Sequence, residues 1–308
     1  IGVALYPEHG RQIDSLNSHA ELALAKAKSL GGNTIQIYAN QNAQLLNLGI
    51  NLESDLHKAL KEKQFEVFYQ PKICIQTKRI YGFEALIRWI HPELGLLSPE
   101  RFIPLAEETS LITEIGKFVL FETCRQIKEW QSLGFDHIRV SINIVAQQIH
   151  RGHLIQDIDE ALNTYRIYGD MLELELTESS LLDKSNHVIE LLQQIKARHI
   201  SISLDDFGTG YSSLAYLTTY PIDTLKIDKA FISKIGQEKD EAIVIAIIAL
   251  GTAIGMTLVA EGVETEEQIT FLERHGCYIL QGYYYSKPLS KFESTKYLLE
   301  NKLIVVSS

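Results

Sequence analysis

Cysteine is scarce in this 308-residue chain, with only Cys74, Cys124 and Cys277. They are widely spaced, odd in number and form no CxxC pair. That argues against a secreted disulfide framework and for a reducing, cytoplasmic setting. Basic stripes are missing too, and the formal net charge is -10. This argues against a nucleic-acid polymer as partner, because nothing in the chain would displace its counterions. A small anionic ligand is not excluded. The ten histidines show no metal-ligand spacing, and His150 and His153 read as surface residues. No basic n-region precedes an apolar stretch at the N-terminus, so no signal peptide is read. Ala242 to Ala260 is free of charge and nominally long enough to span a bilayer. Gly251 and Gly255 interrupt it, and Glu261 follows without basic flanks. A buried helix ending near Gly255, then a strand over Met256–Ala260, fits better than a membrane segment.

A hydrophobic content of 45% and a charged content of 22% are those of a soluble globular protein with a sizeable core. From Asn51 onward, β-rich runs alternate with helical patterns. The strands are expected at Phe65–Gln70, Ile80–Leu86, Arg139–Ile142, Leu172–Leu176, Ser201–Leu204, Thr224–Ile227, Thr257–Ala260 and Tyr278–Leu280. The helices are expected at Ile115–Ser132, Leu154–Tyr165, Ser185–Arg198, Ser212–Thr219, Asp240–Ala253, Glu266–His275 and Lys291–Glu300. This order predicts an α/β fold, a (β/α)8 TIM-like barrel of about 250 residues. The connection from Gln70 to Ile80 is too short for a helical crossover, so the first strand should run antiparallel to the second. Before Asn51 the pattern differs. Ile1–Tyr6 reads as a strand, Ala20–Leu30 as a helix capped by Gly31-Gly32-Asn33, and Thr34–Tyr38 as a strand. These few elements bury little core alone. Residues 1–40 therefore read as a small N-terminal α/β remnant, residues 41–50 as a helical linker and residues 51–305 as the barrel.

Five segments end apolar runs with an acid or an amide: Phe83-Glu84-Ala85-Leu86, Ser141-Ile142-Asn143, Leu174-Glu175-Leu176-Thr177-Glu178, Ser203-Leu204-Asp205-Asp206 and Val259-Ala260-Glu261. Each acid, with Asn143 and Lys226-Ile227-Asp228, falls at or just past the C-terminal end of its expected strand. In such barrels that rim gathers catalytic groups. One acid after a strand is ordinarily a helix cap or a solvated turn residue. Several on successive strand ends point to a site. Glu84, Glu175, Asp205, Asp206 and Glu261 carry five negative charges that Lys226 alone cannot offset, whereas two divalent cations nearly would. For Lys226, an interior ion pair with Asp228 is the plainer alternative.

Glu84-Ala85-Leu86-Ile87-Arg88-Trp89 resembles the signature of EAL domains, phosphodiesterases that hydrolyse cyclic di-GMP (c-di-GMP), a bacterial second messenger. Further segments follow in the family's order and spacing: Tyr69-Gln70-Pro71-Lys72, Phe102-Ile103-Pro104-Leu105-Ala106-Glu107, Glu175-Leu176-Thr177-Glu178, Asp205-Asp206-Phe207-Gly208-Thr209-Gly210, Lys226-Ile227-Asp228, Ala260-Glu261-Gly262-Val263-Glu264 and Gln281-Gly282-Tyr283. The resemblance runs from about Asn51 to Leu303. Val145 and Tyr285 replace a common serine and phenylalanine. Ile1–Tyr38 resembles the C-terminal end of a GGDEF domain without its Gly-Gly-Asp-Glu-Phe loop, so no cyclase activity is expected of it.

The resemblance implies metal-dependent hydrolysis to linear pGpG. Glu84, Asn143, Glu175 and Asp205 would hold one ion, and Asp205, Asp206 and Glu261 a second. Lys226 would face the attacking water or the scissile phosphate. Arg88, Gln70 and Leu86 would contact the nucleotide. Gln281 would support the metal-water network or, equally, bond a strand end. Glu264 would stand behind the ligands, and Glu178 would support the Phe207–Leu214 loop, which links the site to a homodimer interface. Oxygen-rich ligands suit Mg²⁺ or Mn²⁺ better than Zn²⁺, and Ca²⁺ is expected to bind and inhibit. The competing reading is a catalytically silent c-di-GMP receptor, but relatives of that kind lack some of these acids or the intact loop. Another metal-dependent barrel enzyme has only fold-level analogy behind it. Any membrane anchor of a longer parent protein is expected upstream of residue 1.

Overall fold

The computed structural model describes residues 1–302 except 8, 10–12, 14, 15, 18, 22, 25–34, 39–51, 151, 152, 182–185, 209–216 and 218. The expected Gly31-Gly32-Asn33 cap, the 41–50 linker, most of the Ser212–Thr219 helix and most of the Phe207–Leu214 loop lie outside the described residues. The chain divides into two compact units, residues 1–63 with 100–109 and residues 64–99 with 110–308. In the first, β1 (Gly2–Val3) pairs in parallel with β2 (Gln36–Ile37). Helix α1 (Leu52–Ala59) buries Leu52, Leu56 and Ala59, spaced to share one face. Helix α2 (Ile103–Glu108) starts with a proline in its first turn, where the missing N–H costs nothing.

The second unit is a closed barrel. Its strands are β3 (Phe65–Cys74), β4 (Arg79–His91), β6 (Arg139–Ile144), β7 (Leu172–Thr177), β8 (Ser201–Phe207), β9 (Thr224–Ile227), β10 (Thr257–Ala260) and β11 (Ile279–Leu280). They neighbour one another in chain order, and β3 closes the ring by pairing with both β4 and β11. Both pairings of β3 are antiparallel, as the short first connection requires, while the pairs from β4 through β6 to β11 are parallel. A three-residue strand, β5 (Gly95–Leu97), extends β4 as a hairpin. It is too short to show an alternation in sequence. Pro71 sits inside β3 without breaking it. Odd positions along β3 direct their N–H groups away from β4: Tyr69 bonds Leu289, and Ile75, just past the strand, bonds Tyr278. Pro71 lies between them, where no donor is used.

The alternation along these strands is inverted relative to a filled apolar barrel. Val140, Ile142, Leu172, Leu174, Leu176, Ile202, Leu204 and Leu225 are buried on the outer face beneath the helices. The alternate residues Ser141, Glu173, Glu175, Ser203, Thr224 and Lys226 are buried as well, and they point inward. Contacts between strands that are not neighbours show this: Lys72 of β3 bonds Ser141 of β6 and Glu175 of β7. The interior is thus a polar column, and each buried group in it needs a partner.

The outer helices are α3 (Ile112–Ser132), α4 (Ala146–His150), α5 (Leu154–Tyr165), α6 (Asn186–Lys196), α7 (Lys229–Ile232), α8 (Glu238–Ala253), α9 (Glu266–His275) and α10 (Lys291–Lys302). Helix α9 opens with a capping box between Thr265 and Gln268 and ends at Gly276, whose φ of 93° needs glycine. The uncharged stretch from Ala242 divides into α8 and β10. No helix among the described residues is long and apolar enough to cross a membrane. His150 and His153 are exposed. Trp130 of α3 is fully buried, with its ring 4.9 Å from Phe83 and 5.2 Å from Tyr69 on the barrel's outer face. Trp130→Ala should therefore cost about 3–5 kcal/mol in urea unfolding. A loss under about 1 kcal/mol would show that α3 does not anchor the β3–β4 wall.

Candidate active site

Lys226 organises the mouth of the barrel. It is fully buried near the C-terminal end of β9. Its Nζ lies 2.5 Å from Glu175 Oε2, 2.6 Å from Glu261 Oε1, 3.1 Å from Asp205 Oδ2 and 4.0 Å from Glu84 Oε1. The structure thus rejects the interior pair with Asp228. That residue lies past the strand end, accepts from Ala230 N at 2.7 Å and caps α7.

The backbone delivers each acid differently. On β7, Glu173 and Glu175 share the inward face by simple alternation. On β8 the ladder to β9 slips between Leu204 and Phe207, so that Asp205 and Asp206 together stand against Lys226 alone. Such a bulge re-aims side chains. Asp205 Oδ1 accepts from the N–H of Asp206 at 2.9 Å, and Asp206 adopts a left-handed φ of 56°, which aspartate tolerates better than most residues. Glu261 follows β10 with its N–H on Ile227 O. At the next residue, Gly262, φ is 66° and an added Cβ would lie 2.4 Å from Lys229 Cβ, so glycine is required to bring this segment in.

Glu84 does not end its strand, because β4 runs on to His91. What ends one residue later, at Ala85, is the pairing of β4 with β6. Glu84 Oε1 accepts from Asn143 Nδ2 at 2.8 Å, and Oε2 accepts from Gln281 Nε2 at 2.6 Å. Gln281 also donates to Gln70 Oε1 at 3.1 Å, and Gln70 donates to Ser286 O. Eight of the expected residues are therefore one cluster: Gln70, Glu84, Asn143, Glu175, Asp205, Lys226, Glu261 and Gln281. Leu86 and Arg88 continue the face of Glu84 outward along β4. Arg88 lies over the Phe68 ring, 5.8 Å from its centre, and donates to Ile87 O. Glu178 is buried in the turn after β7. Glu264 is exposed; its backbone N–H bonds Gln268, and its side chain is not brought to the cluster.

Two residues of the site are given no role in the sequence: Lys72, although it ends the Tyr69–Lys72 motif, and Glu173, which lies outside every motif. Lys72, 2% exposed, donates to Glu175 Oε1 at 2.8 Å, Glu173 Oε1 at 3.2 Å and Ser141 Oγ at 2.8 Å. Glu173 is equally buried. The signal available in sequence was spacing: each lies two residues from a site residue, Gln70 or Glu175, on the same strand face.

Electrostatics sort the acids. Burial would raise Glu175, but Lys226 and Lys72 outweigh it and hold that carboxyl well below its usual range. Burial raises Glu84, with the Glu175 charge adding to it. Glu261 is raised well above its ordinary value by burial, despite Lys226, with Asp205 and Glu84 adding. Asp206 is pushed up to about 6 by burial and then by Asp205 and Asp228. Lys226 stays charged, because its four acid neighbours overcome the burial that would strip its proton.

Among the described residues no three Asp, Glu, His or Cys side chains already form a metal cage; the carboxylates converge on the Lys226 ammonium. The donor chemistry nonetheless fits hard divalent cations. The donors are carboxylate and amide oxygens, and two buried ammonium groups face six carboxyls once Glu173 is included. The buried carbonyl oxygen of Gln281, beside Glu84, accepts no hydrogen bond among the described residues. An uncompensated acid cluster of this kind is stabilised by added positive charge.

A model of the EAL domain family matches residues 53–288, and the chain belongs to that family. It is 39% identical over 290 residues to the cyclic di-GMP phosphodiesterase NbdA of Pseudomonas aeruginosa, covering 94% of this chain and 37% of that protein. It is 41% identical over 293 residues to the bifunctional diguanylate cyclase/cyclic di-GMP phosphodiesterase MucR of the same organism, covering 94% and 42%. The chain thus spans about two fifths of the length of these relatives. The solved structure of the PaMucR phosphodiesterase in complex with c-di-GMP superposes with a TM-score of 0.77 at 41% identity, covering 80% of this chain and 100% of that one.

Three raised carboxyls bind more protons in the folded state than in the unfolded one, so folding stability declines as pH rises through their titration. In chelator, melting temperature should fall as pH rises through about 6, where Asp206 loses its proton. Glu175 acts only at lower pH and Lys226 only at higher pH. A divalent cation should flatten the decline. A chelated protein that grows more stable through that titration would contradict the assignment.

Proposed function

We propose that this EAL-family chain hydrolyses c-di-GMP to the linear dinucleotide pGpG. The observation that carries the reading is the acid, amide and lysine cluster at the barrel mouth. Water adds to the phosphorus, the P–O3′ bond breaks, and the 3′-oxygen takes up a proton. Glu84, Asn143, Glu175 and Asp205 would hold one divalent ion, and Asp205, Asp206 and Glu261 a second. When bound, Mg²⁺ or Mn²⁺ supplies Lewis-acid polarisation and a more acidic water.

The chain's own groups do the positioning. Lys226 supplies a fixed ammonium next to the reacting phosphate, and its charge needs no rearrangement as negative charge develops. Gln281 and Asn143 clamp the two oxygens of Glu84, which fixes the orientation of that carboxylate. Glu84, Leu86 and Arg88 form one line on β4, so a phosphate held at Glu84 would place the rest of the nucleotide along Leu86 toward the Arg88 guanidinium. Glu178 would order the Phe207–Leu214 loop, and Ca²⁺ would bind without supporting turnover. We also propose that residues 1–40 are the C-terminal remnant of a GGDEF domain, joined through residues 41–50 to the barrel, and that the protein acts as a homodimer. The parallel pairing of β1 with β2 supports the first of these. The silent-receptor alternative has no observation in its favour, since every expected ligand is present.

Purified protein with c-di-GMP and Mg²⁺ should yield pGpG, and excess chelator should abolish the reaction. Undiminished turnover in chelator would overturn the metal-dependent reading. Two substitutions separate chemistry from binding. Asp206→Asn should lower kcat strongly and leave affinity for c-di-GMP, titrated calorimetrically in Ca²⁺, near that of the parent. Arg88→Ala should weaken that affinity by about 1.5–3 kcal/mol. The reverse pattern would require the two roles to be exchanged.

A further inference from the structure

Lys72 has no place in the chemistry described so far, yet it is among the most buried charges in the protein. Its ammonium bonds three groups from two strands across the barrel: Ser141 Oγ, Glu173 Oε1 and Glu175 Oε1. Ser141 and Glu173 lie one inward-facing step before Asn143 and Glu175 on their strands. Lys72 therefore sits toward the barrel's closed end, and it turns Oε1 of Glu175 away from the mouth. The other oxygen, Oε2, faces Lys226 and the carboxylates of the rim. Glu173 holds Lys72 in place. Its Oε2 accepts from Thr224 Oγ1 at 3.4 Å and lies 3.8 Å from Arg139.

We infer that Lys72 is a positioning residue that reserves Oε1 of Glu175, so that this carboxylate offers one oxygen to a cation rather than two. The inference rests on the metal-binding reading given above. Its consequence is ion selectivity. Ca²⁺ takes six to eight oxygens and readily uses both oxygens of a carboxylate, whereas Mg²⁺ demands near-ideal octahedral geometry. A Glu175 tied down from below disfavours the larger ion. Released, it would admit Ca²⁺ more readily.

Removing the Lys72 charge also makes the site more negative, which strengthens binding of both ions alike. The discriminating quantity is therefore the ratio of their affinities. In Lys72→Met the absolute affinities carry both effects, and the charge effect cancels in the ratio. In Lys72→Met/Glu173→Gln the two buried charges leave together, the net charge is unchanged, and no buried acid is stranded to oppose folding.

The free-Mn²⁺ signal in electron paramagnetic resonance reports binding to the intact chain without any turnover. Mg²⁺ and Ca²⁺ are each titrated in to displace Mn²⁺ from parent and variants, with folding checked by thermal melting. The preference for Ca²⁺ over Mg²⁺ should rise about tenfold or more in both variants, the scale of effect seen when groups behind metal ligands are removed. Folded variants that keep the parent's ratio overturn the inference, whether both affinities rise together or neither moves. A parent that binds no Mn²⁺ overturns the metal reading itself, and the inference with it.

Discussion

Glu175 is held between two buried ammonium groups, Lys72 on one oxygen and Lys226 on the other. The rest of the structure is arranged around that contact. A buried carboxylate without partners would simply take up a proton. Stranding one such group by removing its partner typically costs about 3–5 kcal/mol. The partners come from β3 and β9, which are not neighbours of β7 on the same side, so only a closed barrel brings them together. Closure in turn depends on the antiparallel first strand, whose Lys72 would otherwise face no acid. The polar column and the topology are one constraint.

Above this column the backbone departs from regular geometry where the site needs extra groups. The bulge at Asp205-Asp206 places two carboxylates opposite one lysine, and the left-handed φ of Asp206 turns it toward Asp228. Gly262 lets the segment after Glu261 approach α7. These irregularities sit at the rim; in the column β6 and β7 keep strict alternation, while the β3–β4 ladder slips between Lys72 and Ile73 at its foot.

The barrel was legible in the sequence because its strands end abruptly. Thr224–Ile227 and Thr257–Ala260 are bounded by turn residues and acids, and the structure begins and ends them at those residues. Elements of five residues or fewer, such as β5, α4 and α7, carry no period to read. β4 was read short because its hairpin with β3 outlives its barrel pairing, which a linear pattern cannot distinguish. Most of the acids were legible as strand-end residues, although Glu84 lies inside β4; the partnership of Lys72 with Glu173 was not, since it depends on which strands face each other across the barrel. The plain alternative for Lys226, Asp228, was near in sequence yet turned to cap a helix. Local spacing identified the groups; the ring of strands decided their partners.

The central claim is that this column of two lysines supports a carboxylate cluster built to receive two divalent cations. Anomalous diffraction from crystals soaked in Mn²⁺ tests it most directly. The account predicts two Mn²⁺ peaks at the barrel mouth among Glu84, Asn143, Glu175, Asp205, Asp206 and Glu261, with Lys72 still on Oε1 of Glu175. Mn²⁺ bound elsewhere, or no peak within that cluster, would contradict it.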